Sequence, residues 1–368
     1  MVLVKAKQGE LLGPLSAVSG IIERRHTLPI LSNVLIDRSS KVLSFLATDI
    51  EIQITSSMPL EQAGEAHTVT VGARKLVEIL RALPDGTEVT LQQQDKRMLV
   101  KAGKSRFSLQ TLPAEDFPRL SKPAGDVARF GLAQRALRRL LGLVQYAMAQ
   151  QDIRYYLNGL LMLVEHRQLK VVATDGHRLA FASMALEVDL PRQEVIVPRK
   201  TVLELSKLLS DAEEEVKIEL SATQAAFTFG NVELVSKLVD GKFPDYTRVI
   251  PTQHKNTLTL DREVLRQALL RAAILSNEKF RGVRWVLSDG SLKIVSSNAE
   301  QEEAQEELEV AYSGDALDIG FNVNYLLDVL NNVPGASVEC TFGDSSSSAL
   351  VTYASEQNFK YVVMPMRI

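Results

Sequence analysis

The stretch most suggestive of chemistry is Thr174–Arg178, with the sequence Thr-Asp-Gly-His-Arg. An Asp close to a His can orient the imidazole as a general base, so one hypothesis is a hydrolase that uses Asp175 and His177. Against it, the chain has five His in all and lacks a Gly-x-Ser-x-Gly elbow, a P-loop, a His-Glu-x-x-His motif and a dinucleotide-binding fingerprint. The single cysteine, Cys340, allows no internal disulfide and no cysteine-based metal site. We therefore expect no catalytic residue, no metal and no cofactor.

The same short motif recurs elsewhere in the chain without its histidine. Ala-Thr-Asp at 47–49 returns at 173–175, and Phe-Pro at 117–118 returns at 243–244, both with an offset of 126 residues. A third copy follows at about 123 residues, where Asp175 falls on Asn298. Since no His follows Asp49, we expect the Asp to sit at a structural turn and His177 to serve a local contact. Repeats this long predict three like domains, at residues 1–125, 126–253 and 254–368.

Each copy shows the same succession of helix-like and strand-like patterns. Near the start of the central copy, Leu137, Leu140, Leu141, Val144 and Met148 follow helical spacing, so one stripe of this helix faces a core. Alternating strand-like runs come next, and then a second helix. These second helices are predicted at Arg74–Leu83, Arg199–Leu209 and Asn322–Val333. The predicted fold class is α+β, with helices packed on antiparallel sheets.

The second helices carry a repeated positive face. Arg74 and Arg81 are seven residues apart and so share a helical face, and 126 residues later Lys200 and Lys207 rebuild it. The third copy lacks these cations. A solvated surface is the ordinary explanation for helix charges, but repetition in register supports a positive surface that faces phosphate.

The net charge of −3 conceals a gradient along the chain. Residues 1–125 hold 16 Lys and Arg against 13 Asp and Glu, residues 126–253 hold 16 of each class, and residues 254–368 hold 10 against 16. The three parts thus carry +3, 0 and −6. A basic beginning and an acidic end suit head-to-tail contact between copies, which closes into a ring when the rotation permits. Chance drift in surface charge is the alternative.

Two sequence features bear on location and on binding. No apolar run approaches the roughly 20 residues of a membrane span, and the N-terminus lacks a signal-peptide layout, so we expect a cytoplasmic protein without a membrane partner. The C-terminus is apolar, with Tyr361–Val363 predicted as a final strand. Because Pro365 stops ladder pairing, Met364, Met366 and Ile368 are candidates for an adaptable apolar groove.

Five segments together resemble one known family. They are Asp152–Gly159, Ala173–Leu179, Ser236–Tyr246, Ala273–Val283 and Tyr361–Arg367. Over its full length the chain is similar to the beta subunits of bacterial DNA polymerase III, the beta sliding clamps. The resemblance implies a non-enzymatic homodimer whose six like domains form a ring around duplex DNA, with helices lining the hole and sheets outside. Such a ring binds DNA independently of sequence and tethers a polymerase, which confers processivity.

The resemblance also implies three sets of site residues. On the DNA side are Arg25, Arg74, Lys75, Gln151, Tyr155, Tyr156, Arg199 and Lys200. A shared pocket for the polymerase III alpha subunit, the clamp loader, other DNA polymerases and repair proteins comprises Leu157, Thr174, Gly176, His177, Arg178, Leu179, Pro244, Arg248, Val249, Asn322, Tyr325, Val362, Met364, Pro365, Met366 and Arg367. The dimer seam joins Lys104, Arg106, Phe107 and Leu109 to Ile274, Leu275, Glu303 and Glu306, the last two within the acidic run Glu300–Glu307.

The chain departs from the family pattern at three positions. His26 replaces a common proline, Gln150 replaces a common His, and Ser346 replaces a pocket Val. Two other functions stay open from the residues themselves. They are the hydrolase with Asp175 and His177, and a protein scaffold that does not encircle DNA. The scaffold explains the pocket but not the repeated basic faces.

Overall fold

The computed structural model describes residues 1–23, 28–354 and 356–368. These residues form six α-helices: α1 Gln8–Ser19, α2 Ala73–Ala82, α3 Gln134–Gly142, α4 Arg199–Leu208, α5 Arg262–Ala273 and α6 Val323–Asn332. The three predicted second helices are confirmed to within a residue at each end. The predicted apolar stripe of the central copy, which runs to Met148, is longer than the helix itself. Helix α3 ends at Gly142, and a short 3₁₀ turn follows at Gln145–Ala147.

The strands of these residues are antiparallel throughout. In chain order they are β1 Val2–Lys7, β2 Asn33–Arg38, β3 Val42–Thr48, β4 Ile52–Pro59, β5 His67–Gly72, β6 Glu88–Gln94, β7 Arg97–Ala102, β8 Ser105–Gln110, β9 Ala128–Ala133, β10 Gly159–Thr174, β11 Arg178–Pro198, β12 Glu215–Leu220, β13 Gln224–Phe229, β14 Val232–Lys237, β15 Asn256–Asp261, β16 Gly282–Ser288, β17 Ser291–Ser297, β18 Glu303–Glu309, β19 Leu317–Asn322, β20 Ser337–Phe342, β21 Ala349–Tyr353 and β22 Glu356–Val363. This composition confirms the predicted α+β class.

The first of two compact units contains residues 1–137 and 203–238. It holds a four-stranded sheet in the order β1-β6-β7-β8 and an eight-stranded sheet in the order β5-β2-β3-β4-β14-β13-β12-β9. Helix α2 buries Leu76, Val77 and Leu80 in this unit, and it leaves Arg74 and Arg81 exposed. The apolar spacing therefore decides which face of the helix enters the core.

The second unit contains residues 138–202 and 239–368. Its six-stranded sheet has the order β10-β11-β22-β21-β20-β15, and its four-stranded sheet has the order β18-β17-β16-β19. Trp285, Phe321 and Phe342 form an aromatic core, with ring centroids 5.6 Å apart for Trp285 and Phe321. No helix in the described part of the chain is long and apolar enough to cross a membrane.

The central third of the chain contributes strands to both units. Its strand β14 pairs with β4, placing Leu234 opposite Ile54, and its strand β11 pairs with β22, placing Ala180 opposite Tyr361. Sheets thus run across the predicted limits between the repeats, and the limits themselves stay a prediction.

Candidate functional site

The Asp175 carboxylate is committed to a backbone turn. Its Oδ1 accepts hydrogen bonds from the backbone N–H groups of His177 and Arg178, at 2.9 and 3.1 Å. The Thr174 hydroxyl donates to the Arg178 carbonyl at 2.6 Å, and Gly176 completes the turn with a φ of 89°. Glycine adopts this left-handed conformation without strain. The carboxylate therefore shapes the chain between β10 and β11.

The same turn is built 126 positions earlier. Asp49 Oδ1 accepts from the N–H groups of Glu51 and Ile52 at 2.9 and 2.8 Å, and the Thr48 hydroxyl donates to the Ile52 carbonyl at 2.8 Å. Ile50 takes the place of Gly176, with a φ of 72°. Because the turn forms equally well without a histidine, the prediction of a structural Asp is confirmed. The geometry gives Asp175 no role in orienting His177 as a base.

An apolar cavity of about 200 Å³ opens beside the Asp175 turn. Ten predicted pocket residues line it, namely Leu157, Thr174, Gly176, His177, Arg178, Leu179, Pro244, Val249, Val362 and Met364. Four further residues, which were not among the predicted pocket residues, also line it, namely Arg154, Tyr156, Phe243 and Tyr246. Phe243 could have been found, since it belongs to the repeated Phe-Pro pair.

The cavity rests on a cluster of buried apolar side chains. Leu179, Phe243 and Val362 belong to this cluster and also line the cavity. Pairing of β11 with β22 places Leu179 directly opposite Val362. Tyr246 packs on the cluster and stacks against Phe181 with 5.7 Å between ring centroids. The floor is therefore fixed by sheet pairing, and it suits an apolar ligand group.

Arg178 joins the cavity wall to helix α6. Its side chain is 10% exposed and forms ion pairs with Asp175 and Asp328. One Nη donates to the Tyr146 carbonyl at 2.7 Å, and the guanidinium carbon lies 4.5 Å from the centre of the Tyr325 ring. The donors of Arg178 are thus largely used within the protein, so this side chain ties the cavity wall to α6.

The surroundings of Arg178 shift two pKa values. Burial lowers the pKa of Arg178, but the neighbouring Tyr361 and Asp328 more than offset this, so the pKa is raised and the side chain stays charged. Burial raises the pKa of Tyr361, whose hydroxyl donates to the Tyr325 carbonyl at 2.9 Å. The Arg178–Asp328 ion pair holds α6 against β11, and the Tyr361–Tyr325 hydrogen bond holds it against β22.

The remaining predicted pocket residues lie outside the cavity lining. Asn322 caps α6 by accepting from the Asn324 N–H at 2.9 Å, and Arg248 forms an exposed ion pair with Asp245. Ser346 binds Asp344 through its hydroxyl. The others outside the lining are Tyr325, Pro365, Met366 and Arg367.

Comparison with known proteins identifies the family. Residues 3–121, 131–245 and 247–367 match the family models of the N-terminal, central and C-terminal domains of the DNA polymerase III beta subunit. The chain belongs to this family. It is accordingly a DNA sliding clamp, a non-catalytic factor for polymerase processivity, and the hydrolase hypothesis is wrong.

Named relatives and solved structures of beta clamps match nearly the whole chain. The chain is 49% identical to the beta sliding clamp of Pseudomonas aeruginosa over 359 residues, 97% of this chain and 98% of the relative. It is 47% identical to that of Escherichia coli K12 over 358 residues, 97% and 98% of the two chains. A crystal structure of the Pseudomonas aeruginosa DNA polymerase sliding clamp superposes with a TM-score of 0.96 at 47% identity, covering 100% of both chains. A Caulobacter crescentus pol III beta structure gives 0.93 at 40% identity, again covering 100% of both.

The residues that the resemblance assigns to the DNA side of the clamp differ in their exposure and contacts. Arg74 and Lys75 are exposed in the first turn of α2, and Gln151 and Tyr155 are exposed before β10. Tyr156 is half-buried and lines the cavity instead. Arg199 donates to the Met148 carbonyl at 3.3 Å, and Lys200 is half-buried beside it. Arg25 and His26 lie outside the described residues.

The predicted seam residues of the clamp occupy two exposed sheet edges and a helix end. Phe107 and Leu109 alternate with Arg106 and Ser108 on β8, which is an edge strand of its sheet. Glu303 and Glu306 lie on β18, also an edge strand, where Arg271 binds Glu306 at 2.6 Å. Beyond α5, Ile274 is 75% exposed and Leu275 is half-buried. Lys104 precedes β8 and is exposed.

Proposed function

We propose that two copies of the chain close head to tail into a ring around duplex DNA. The observation that carries this proposal is the pair of exposed, oppositely charged sheet edges. Strand β8 is basic, with Arg106 on it and Lys104 just before it, and strand β18 is acidic, with Glu303 and Glu307 exposed. An unpaired edge strand is a template for pairing with another chain. Complementary charge then selects β18 of the partner over a second β8.

Exposed apolar side chains support the same seam. Ile274 extends from the C-terminal end of α5 with 75% of its surface exposed, and Phe107 and Leu109 are half-buried on β8. Exposed apolar side chains flanked by charge are typical of protein interfaces. Burial of Ile274 and Leu275 against the partner's Phe107 and the partner's Leu109 would remove these groups from water.

We further propose that the cavity binds the short apolar motifs of several partners. The polymerase III alpha subunit, the clamp loader, other DNA polymerases and repair proteins would insert a segment with an apolar end. At about 200 Å³ the cavity is smaller than the roughly 300–1,000 Å³ of sites for small molecules. It suits one or two side chains of a peptide.

The basic helices of the first two repeats, α2 and α4, would face DNA, and the protein would act in the cytoplasm.

The experiment that tests encirclement compares two forms of DNA. Individual phosphate contacts are weak and salt-sensitive, so lasting attachment requires topology. Clamps loaded by a clamp loader onto nicked circular duplex should stay bound in roughly 1 M NaCl, well above the range of about 50–200 mM in which phosphate contacts lose most of their affinity. They should leave when the circle is cut. Equal loss from circular and linear DNA would reject the ring.

A further inference from the structure

Two glycines lie diagonally on the outer face of the C-terminal sheet. Gly282 on β16 pairs with Asn322 on β19, and Arg284 pairs with Gly320, so these four positions share one face. The opposite face is buried and holds Val283, Trp285 and Phe321. Neither glycine has a positive φ, so the backbone conformation does not require glycine at these positions.

Close contact with the C-terminal tail, Met364–Ile368, explains why both positions are glycine. The Met366 N–H donates to the Gly320 carbonyl at 2.8 Å. A Cβ added at Gly320 would lie 2.7 Å from Cδ1 of Ile368 and would also meet the Met366 carbonyl oxygen. A Cβ added at Gly282 would lie 3.1 Å from the same Ile368 atom and 3.6 Å from Sδ of Met366. The tail thus lies directly on bare backbone.

The other end of the tail reaches the pocket. The Met364 N–H donates to the His177 carbonyl at 2.9 Å, and Met364 lines the cavity. The tail is therefore pinned at two points two residues apart, with Pro365 between them to restrict the backbone. A displacement at Gly320 must be transmitted to Met364, because so short a link has little freedom to absorb it.

We propose that Gly282 and Gly320, the glycine cradle, are positioning residues that set the path of the tail and so place the Met364 wall of the pocket. The inference rests on the proposed binding of partner peptides at that pocket. Ile368 keeps 61% of its surface exposed, so its contact with the cradle buries little area. Substitution in the cradle should therefore affect binding more than stability.

The main test substitutes alanine at Gly320 and at Gly282. Gly131→Ala is a matched control, because it is also a strand glycine but the three atoms nearest its added Cβ all belong to the flexible Glu215 side chain. Binding of a fluorescein-labelled synthetic peptide ending in Leu-Phe is measured by anisotropy. We expect Gly320→Ala to weaken binding about tenfold, since the displaced wall must be reordered on binding. Gly282→Ala should act less strongly, and Gly131→Ala should have no effect.

A rescue experiment separates positioning from general damage. Combining Gly282→Ala with Ile368→Ala removes the two Ile368 atoms that lie nearest the new Cβ, at 3.1 and 3.2 Å, so the affinity should return toward that of Ile368→Ala alone. If the loss of binding free energy in the double variant equals the sum of the losses in the two single variants, the proposal is overturned. So would unchanged peptide affinity in Gly320→Ala.

Hydrogen exchange measures local opening of the tail in the absence of any partner peptide. The fragment containing Met364 and Met366 should exchange faster in Gly320→Ala than in the unaltered protein or in Gly131→Ala. An unchanged exchange rate of this fragment in Gly320→Ala would overturn the proposed role of the glycine cradle, whatever the result of the peptide titration. If the unaltered protein fails to bind the peptide, the proposed function of the pocket fails, and the exchange result still decides whether the cradle positions the tail.

Discussion

The guanidinium of Arg178 lies 4.5 Å from the centre of the Tyr325 ring, and it bonds Asp175, Tyr146 and Asp328 from that position. A pocket residue that looks available for ligand binding in the sequence is thus a link between the turn after β10 and helix α6. A residue with this many internal partners affects stability and the pocket together.

Replacing Arg178 with alanine should destabilise the protein by roughly 2–4 kcal/mol, because two carboxylates and the Tyr146 carbonyl lose their donor. The free energy of unfolding in urea measures this loss. Arg248→Ala is the matched control, since the Arg248 side chain is 85% exposed and has one surface ion pair. An equal, small effect of both substitutions would contradict the linking role of Arg178.

The repeated turns predict that removing either carboxylate, at Asp175 or at Asp49, destabilises the protein. Asp175→Ala and Asp49→Ala each remove an oxygen that accepts from two backbone N–H groups. Each should lower the free energy of unfolding by at least about 1–2 kcal/mol, and Asp175→Ala also removes the ion pair with Arg178. The asparagine variants should retain much of the turn's contribution to stability. Urea titration of the four variants checks this. If Asp175→Ala were neutral, the turn would not depend on the carboxylate.

The seam predicts a change in assembly. Ile274→Ala combined with Leu275→Ala should give folded monomers in sedimentation, since each truncation removes roughly 2–5 kcal/mol if the side chain is fully buried in the dimer. Val188→Ala, at an apolar residue 42% exposed on β11, serves as the control and should leave dimers intact. Unchanged dimers in the double variant would show that the interface lies elsewhere.

Removing Met364–Ile368 should abolish binding of the Leu-Phe peptide and spare the dimer. Apolar anchors dominate such interfaces at about 2 kcal/mol or more each, so the loss should exceed roughly tenfold. Peptide titration and sedimentation of the truncated chain provide the measurement. Full-strength binding would refute the pocket, and an unfolded product would make the tail only an extension of the last strand.

Burial raises the pKa of Cys340 to about 12. The unfolded thiol titrates near its usual value of about 8.5. The contribution of Cys340 to stability is therefore complete below that pH and is lost as the pH rises toward 12. Iodoacetamide at pH 8.5 should label Cys340 only after urea unfolds the protein. Labelling of the native protein at the unfolded rate would contradict this burial.

Local patterns in the sequence determined much of the secondary structure. Helix α2 follows from the spacing of Leu76 and Leu80, and the Asp49 and Asp175 turns follow from side-chain acceptors two or three residues from their donors. These features are encoded within a few residues, so the repeat was visible before the fold. The resemblance of five segments was enough to predict the family.

Only the tertiary structure decided which residues meet. Tyr246 and Phe243 line the cavity because their loop packs on the cluster formed where β11 pairs with β22, and no local pattern encodes that pairing. Arg178 is engaged because Asp328, 150 residues away, comes within reach. Gly320 is required because the tail crosses it. Contacts between distant segments depend on the register and packing of the whole fold, which spacing along the chain does not specify.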